Sequence, residues 1–143
     1  MIDNSLFQSI PAQSPENQNP VIPFINVLEG FKTKIKNLHW ASPKGAKNLH
    51  LQLDELLEAV QDYQDSLAEE SSGMYGTMRP DAIEGVKCDC LDAASMLVSL
   101  KQNVVAFYVS LNQNVVLNAG LRSETEAFIH TLNKEKYLFT LCE

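Results

Sequence analysis

His50, Asp54, Asp65 and Glu69 are the residues of this chain best equipped for chemistry, and they lie in one uninterrupted stretch, HLQLDELLEAVQDYQDSLAEE, residues 50–70. That stretch holds one His, seven carboxylates and no Lys or Arg. Imidazole and carboxylate together make a mixed nitrogen and oxygen donor set. Such a set suits Fe(II), with Mn and Zn as competitors, and suits thiolate-preferring metals poorly. At about 100° per residue from Leu49, the apolar seam Leu49, Leu53, Leu56, Val60, Tyr63 and Leu67 stays within about 40° of its origin. His50, Asp54, Asp65 and Glu69 fall at roughly 100°, 140°, 160° and 200°. They share one arc, and it points away from the face the helix buries.

Spacing decides how these residues can meet. His50 and Glu69 stand about 28 Å apart along a helix, too far to share a metal ion within one chain. The pairs 50/69 and 54/65 are centred on the same point, between Ala59 and Val60. A two-fold axis there would set His50 against the partner's Glu69 and Asp54 against the partner's Asp65. Each dimer would then carry two identical sites, as an isologous interface requires. His39, one residue past Leu38 at the end of the preceding helix, can approach the His50 end. A solvated acidic face with coincidental symmetry is the competing reading. An intrachain di-iron centre is disfavoured, because such centres draw on Glu-x-x-His motifs, and EAFIH at 126–130 has one residue too many.

The elements that must position these residues follow from periodicity. Residues 1–19 are rich in Ser, Pro, Asn and Gln, contain no Lys or Arg, and read as a flexible arm. A first helix starts near Val21, with Phe24, Leu28, Phe31, Ile35 and Leu38 at helical spacing, and SPKG at 42–45 ends it. A second runs from Lys47 to about Ser71 on the Leu49–Leu67 seam. A third is expected over Leu91–Leu117, with Leu97, Leu100, Val104, Phe107 and Leu111 inward. NAGLRS reads as the next turn, Ser123 and Glu126 as a capping box, and Glu124–Leu141 as the last helix, with Phe128, Leu132 and Leu138 or Leu141 inward. The short first and last connections and the long middle one predict an all-α, ferritin-like four-helix bundle over residues 20–143, with one long crossover between helices 2 and 3.

Composition narrows the function classes. The net charge of −7, from 18 acidic and 11 basic residues, argues against a surface built for DNA. No run of about 18 apolar residues suggests a membrane span, and the N-terminus lacks a signal-like apolar block, so no membrane partner is expected. Three cysteines cannot all pair, which favours a reducing, cytoplasmic setting. Cys88-Asp89-Cys90 reads as structural, with half of a metal site as the alternative. His130 reads as a surface residue, and Tyr63 as core rather than a redox-active group.

LHW at 38–40, followed by LHLQLDELLEAVQDYQDSLAE at 49–69, resembles the Dps family of mini-ferritins. In that family a His-Trp pair ends the first helix, and the second helix carries His-x3-Asp and then Asp-x3-Glu. His39-Trp40, His50/Asp54 and Asp65/Glu69 match those positions, and the similarity spans about residues 22–141. The resemblance implies a hollow homo-dodecamer built from two-fold dimers. Fe(II) would be oxidised by hydrogen peroxide, or by oxygen, at inter-subunit sites, and ferric iron stored inside. It implies that His39, His50 and Asp54 come from one subunit, and Asp65 and Glu69 from its mate. The chain departs from the family at Glu70, where a basic residue is usual, and in its shortened loop ASPKGAKN. The alternative function is a non-catalytic ferritin-like oligomer with weak or no metal binding.

Overall fold

The computed structural model describes residues 19–142, and it is all-helical, with four α-helices and no strand among them. We label these α1 (Ile22–Trp40), α2 (Lys47–Tyr75), α3 (Ala93–Ser110) and α4 (Ala119–Thr140); a 3-10 turn, Leu111–Asn114, extends α3. The proposed arm, residues 1–19, falls outside the described residues except for Asn19. Asn19 itself is buried, and its Nδ2 donates to Ser71 Oγ at 3.0 Å, so the packed bundle reaches back to it.

Each helix begins and ends for a local reason. Pro23 lies in the first turn of α1, where its missing N–H has no intrahelical partner to lose. Pro43 disfavours helical geometry at Ser42, and α1 stops at Trp40. α2 continues four residues past the expected Ser71, to Tyr75. The weak helix formers Ser71 and Ser72 are carried by tertiary contact, since buried Ser71 accepts from Asn19 and donates to the Ala68 carbonyl oxygen at 3.3 Å. Asp92 caps α3, its carboxylate accepting the Ser95 N–H at 2.7 Å.

The turn before α4 corrects the sequence reading. It occupies residues 115–118 rather than NAGLRS, and Ser123 and Glu126 lie inside α4 instead of forming a capping box. Two asparagines make the turn: Asn114 Oδ1 accepts the Leu117 N–H, and Asn118 Nδ2 donates to the Leu111 carbonyl oxygen, both at 3.0 Å. Starting the helix at Ala119 also buries Leu121 against the core. Glu126, free of any capping duty, accepts from the Tyr108 hydroxyl at 2.9 Å.

Side-chain pairs give the helix directions. His39 meets His50, and Asn19 meets Ser71, so α1 and α2 are antiparallel. Gln52 bonds Glu135 at 2.9 Å and Tyr63 meets Thr125 at 2.7 Å, so α2 and α4 are antiparallel. Lys101–Asn133 and Tyr108–Glu126 set α3 antiparallel to α4. Two helices each antiparallel to α4 must run parallel to each other. The helices pack in the ring order α1, α2, α4, α3, which leaves α2 and α3 diagonally opposed. The link 76–92 therefore has to return along the whole bundle.

The core follows the seams read from periodicity, except that Leu38 and Leu49 are only partly buried and Phe139, rather than Leu138 or Leu141, completes the buried side of α4. Leu28, Ile35, Leu53, Leu56, Val60, Leu67, Leu100 and Val104 are fully buried, each side chain contributing about 1.5–3 kcal/mol of burial. Phe24 stacks on Phe107 (ring centroids 4.1 Å apart), joining α1 to α3, and Tyr63 stacks on Phe128 (4.2 Å), joining α2 to α4. Tyr63 is core, as expected: its hydroxyl donates to Thr125 Oγ1, Thr125 donates to the Leu121 carbonyl oxygen, and burial pushes the phenol far above its ordinary pKa. By length and composition, Ala93–Asn114 is apolar enough to cross a membrane. Here it is a bundle helix, about a third buried, with Met96, Leu97, Leu100, Val104, Phe107 and Leu111 inward.

The returning link lies directly on α1. Asn26 collects it: Nδ2 donates to the Ala82 carbonyl oxygen, Oδ1 accepts the N–H groups of Glu84 and Gly85, and the Asn26 carbonyl accepts the Val86 N–H at 2.9 Å. At Gly30 the link presses so close that an added Cβ would overlap the Val86 carbonyl. Gly30→Ala should therefore cost about 1–3 kcal/mol, the range for overpacking, and lower the thermal midpoint while helix content survives. An unchanged midpoint would mean the link is not seated there.

Buried Glu135 supplies a second test. It is 3% exposed, accepts a hydrogen bond from Gln52, and is pushed above its ordinary pKa chiefly by burial, with Glu55 adding to the shift. The folded state thus holds this proton more tightly than the unfolded state. Stability is lost as pH rises from the ordinary carboxylate value through the raised one. Thermal midpoints of Glu135→Gln should gain on wild type across that window and hold a constant lead above it; parallel curves throughout would refute the assignment.

Candidate metal centre at the α1–α2 junction

His39 lies in the last turn of α1 and His50 in the first turns of α2, with residues 41–46 between the helices. The loop turns through the Ala46 N–H bond to the Pro43 carbonyl, and the His50 N–H bond to the Ala46 carbonyl opens α2, both at 3.0 Å. This closure brings the imidazoles face to face, with ring centroids 3.7 Å apart and planes 21° from parallel. Each ring is tied to the other residue's backbone. His39 Nδ1–H donates to the His50 carbonyl oxygen at 2.8 Å, and His50 Nδ1–H donates to the His39 carbonyl oxygen at 3.0 Å.

That reciprocity has a chemical consequence. A carbonyl oxygen only accepts, so both protons must sit on Nδ1. In the neutral rings both Nε2 atoms keep a lone pair. An Nδ1–H held by a backbone carbonyl is the arrangement that fixes tautomer and orientation in metal-ligating histidines. Both rings are half-buried, so their orientation is held while their edges remain reachable.

The carboxylates stand apart from this pair. Asp54 is exposed, one turn beyond His50 on α2, and borders a groove of about 440 Å³ between α1 and α2. Lys32 and Lys36 line the α1 side of that groove, and Asp54, Glu58 and Gln61 the α2 side. Asp65, also exposed, accepts from Gln61 Nε2 at 2.9 Å, and Glu69 lies exposed one turn further on. Among the described residues, no three His, Cys, Asp or Glu side chains gather closely enough to hold a metal ion. Of the five candidates, the structure brings His39 and His50 together and leaves Asp54, Asp65 and Glu69 spread along α2.

Several neighbours were not singled out by pattern. Gln64, buried at a polar position one turn beyond Val60, organises a network between the helices: Lys32 Nζ donates to it at 2.9 Å, and its Nε2 donates to Glu29 at 3.0 Å. The Gln64 bond, more than the Lys32 charge, holds the Glu29 carboxyl below its ordinary value. Its signal in the sequence was a glutamine at a seam-adjacent position. Trp40 is 69% exposed beside His39, with the Lys36 ammonium 5.7 Å from its ring centre. Glu70 rests against Gly120 in the first turn of α4, where an added Cβ would meet its carboxylate. Its carboxyl is raised by burial first and by Glu124 second. His130 is exposed on α4, as expected.

Comparisons with protein-family models, with curated proteins and with solved structures find no match for this chain.

The tautomers can be measured directly. Long-range proton–nitrogen correlation at alkaline pH should show both His39 and His50 protonated on Nδ1, with Nε2 bearing the lone pair. An Nε2–H form at either ring would break the reciprocal arrangement.

Proposed function

We propose that this chain is a subunit of a Dps-like mini-ferritin that binds Fe(II) at inter-subunit sites, oxidises it and stores ferric iron in a homo-oligomeric, dodecameric shell. The observation that carries the reading is the His39/His50 pair, two imidazoles locked by backbone carbonyls with both ε-nitrogens left to donate. The parallel, diagonal placement of α2 and α3 supports a ferritin-like crossover. The exposed carboxylates on an unbroken α2 support the two-fold arrangement, in which an antiparallel copy brings the partner's Asp65 and the partner's Glu69 to His39, His50 and Asp54. Iron is the substrate in this scheme, with Mn or Zn able to occupy the same donors.

The chemistry asked of the protein is modest. Hydrogen peroxide takes one electron from each of two Fe(II) ions and two protons, leaving as two waters and yielding two Fe(III). Oxygen is the alternative oxidant. The chain's own residues supply neutral imidazole donors in fixed orientation and carboxylates that offset the cation's charge. Acidic net charge and an arm without basic residues argue against DNA as a partner. The three free thiols support a cytoplasmic setting.

A second reading has its own observation. The same reciprocal bonds staple α1 to α2, so the pair also serves a non-catalytic ferritin-like oligomer with weak or no metal binding. The two readings part on iron chemistry. Fe(II) added anaerobically, then peroxide, should give rapid ferric absorbance retained in a large particle. Asp65→Ala/Glu69→Ala should slow the reaction by at least about tenfold, a loss typical even of outer-shell metal partners. An assembled particle with no acceleration over buffer would leave the staple reading standing.

A further inference from the structure

α3 carries more apolar surface than the bundle uses. Its inward seam runs through Leu97, Leu100, Val104 and Phe107, yet only about a third of the helix is buried. Beside that seam lies a second stripe at the same helical spacing, Ala94, Val98, Lys101 and Val105. Val98 is 55% exposed and Val105 38%, so the other helices leave this stripe uncovered. The stripe forms one wall of a groove of about 940 Å³, with α4 as the facing wall and Pro43, Ala46 and Leu49 completing the lining. Leu97, Leu132 and Phe139, all buried, make its floor. Small side chains at Ala94 and Ala106 leave the space that leucines would fill.

Charge points to what the groove takes. The chain as a whole carries −7, yet Lys101 and Lys136 line this groove and no Asp or Glu does. The register set by Lys101–Asn133 and Tyr108–Glu126 puts Lys136 level with Val98, one turn from Lys101 on the facing wall. Lys101 Nζ donates to Asn133 Oδ1, a neutral acceptor, at 2.7 Å. Among the described residues, neither ammonium is paired with a carboxylate. Glu135, next to Lys136 in the chain, is held by Gln52 and does not line the groove.

We propose that this groove binds a single-chain amphiphile with an anionic head, a long-chain carboxylate. The apolar walls take the hydrocarbon, and Lys101 and Lys136 meet the carboxylate at the rim. From Ala94 to Ala106 the α3 wall runs about 18 Å, a length suited to an extended chain. A sugar or nucleotide would set polar groups against Leu97, Val98 and Val105 with nothing to bond them. The volume is in the range of small-molecule sites. A second copy of the chain is the competing cover. An isologous contact through this stripe would bring Lys101 and Lys136 toward their own copies, and like charges oppose it. Binding here uses neither His39 nor His50 and stands apart from the iron reading.

The test uses full-length, metal-free protein and cis-parinaric acid, a fluorescent long-chain carboxylate, below its micelle concentration. Saturable binding of one probe per chain is expected. Laurate should displace the probe at least about tenfold better than dodecanol, its uncharged analogue. Lys101→Gln/Lys136→Gln should weaken probe binding at least about tenfold, whereas Lys134→Gln, outside the groove, should leave it unchanged. Ala106→Trp, at an exposed position on the wall, should block the groove. No saturable binding by wild type overturns the proposal. So does equal displacement by laurate and dodecanol, a comparison that needs no variant to fold. Probe binding that survives both the lysine and the tryptophan substitutions overturns it as well. If wild type excludes the probe and Val98→Asp breaks up its assembly, a second copy covers the groove and the proposal fails.

Discussion

The fixed rise of a continuous α-helix governs what this chain can do by itself. α2 runs unbroken for 29 residues, and its two ends are farther apart than any side chain can span. His50 near one end and Glu69 near the other cannot cooperate in a monomer, however acidic the face between them. The same rigidity would make the proposed two-fold pairing well defined, because a continuous helix presents its residues to an antiparallel copy in strict register. Every other element serves this helix: α1 and α4 pack on its sides, and α3 closes the ring across the core.

Much of the fold was legible because the buried positions are apolar and regularly spaced. Leu53, Leu56, Val60 and Leu67 define one face on any helical projection, and all are fully buried. What was misplaced depended on long-range contact. Ser71 and Ser72 look like a stop until Asn19 reaches Ser71 from 52 residues away. Ser123 and Glu126 have the spacing of a cap, yet burying Leu121 draws the helix start upstream, and the asparagine turn makes that start possible. Local propensity set the range of options, and packing chose among them.

The candidate site was legible as a list but not as a geometry. Residue types and intervals nominated His39, His50, Asp54, Asp65 and Glu69. No interval could show that the imidazoles would stack and trade backbone bonds, because that depends on the closure of residues 41–46. Gln64 escaped notice because a buried glutamine is visible only once Lys32 and Glu29 are seen to satisfy it. The protein thus keeps polar groups at two depths between α1 and α2: a satisfied network inside and unsatisfied donors at the rim.

The route of the 76–92 link divides the chain into two helical hairpins with different burdens. All five candidate donors lie on the first hairpin, between residues 39 and 69, whereas α3 and α4 contribute none. The second hairpin supports the first through its apolar seam, through Thr125 beneath Tyr63 and through Glu135 beside Gln52. Under the proposed function, changes in α3 and α4 would alter how firmly α2 is held but not which atoms face a metal. On the proposed reading, substitutions in the first hairpin would change donor identity, whereas those in the second would be tolerated wherever shape and apolarity are kept.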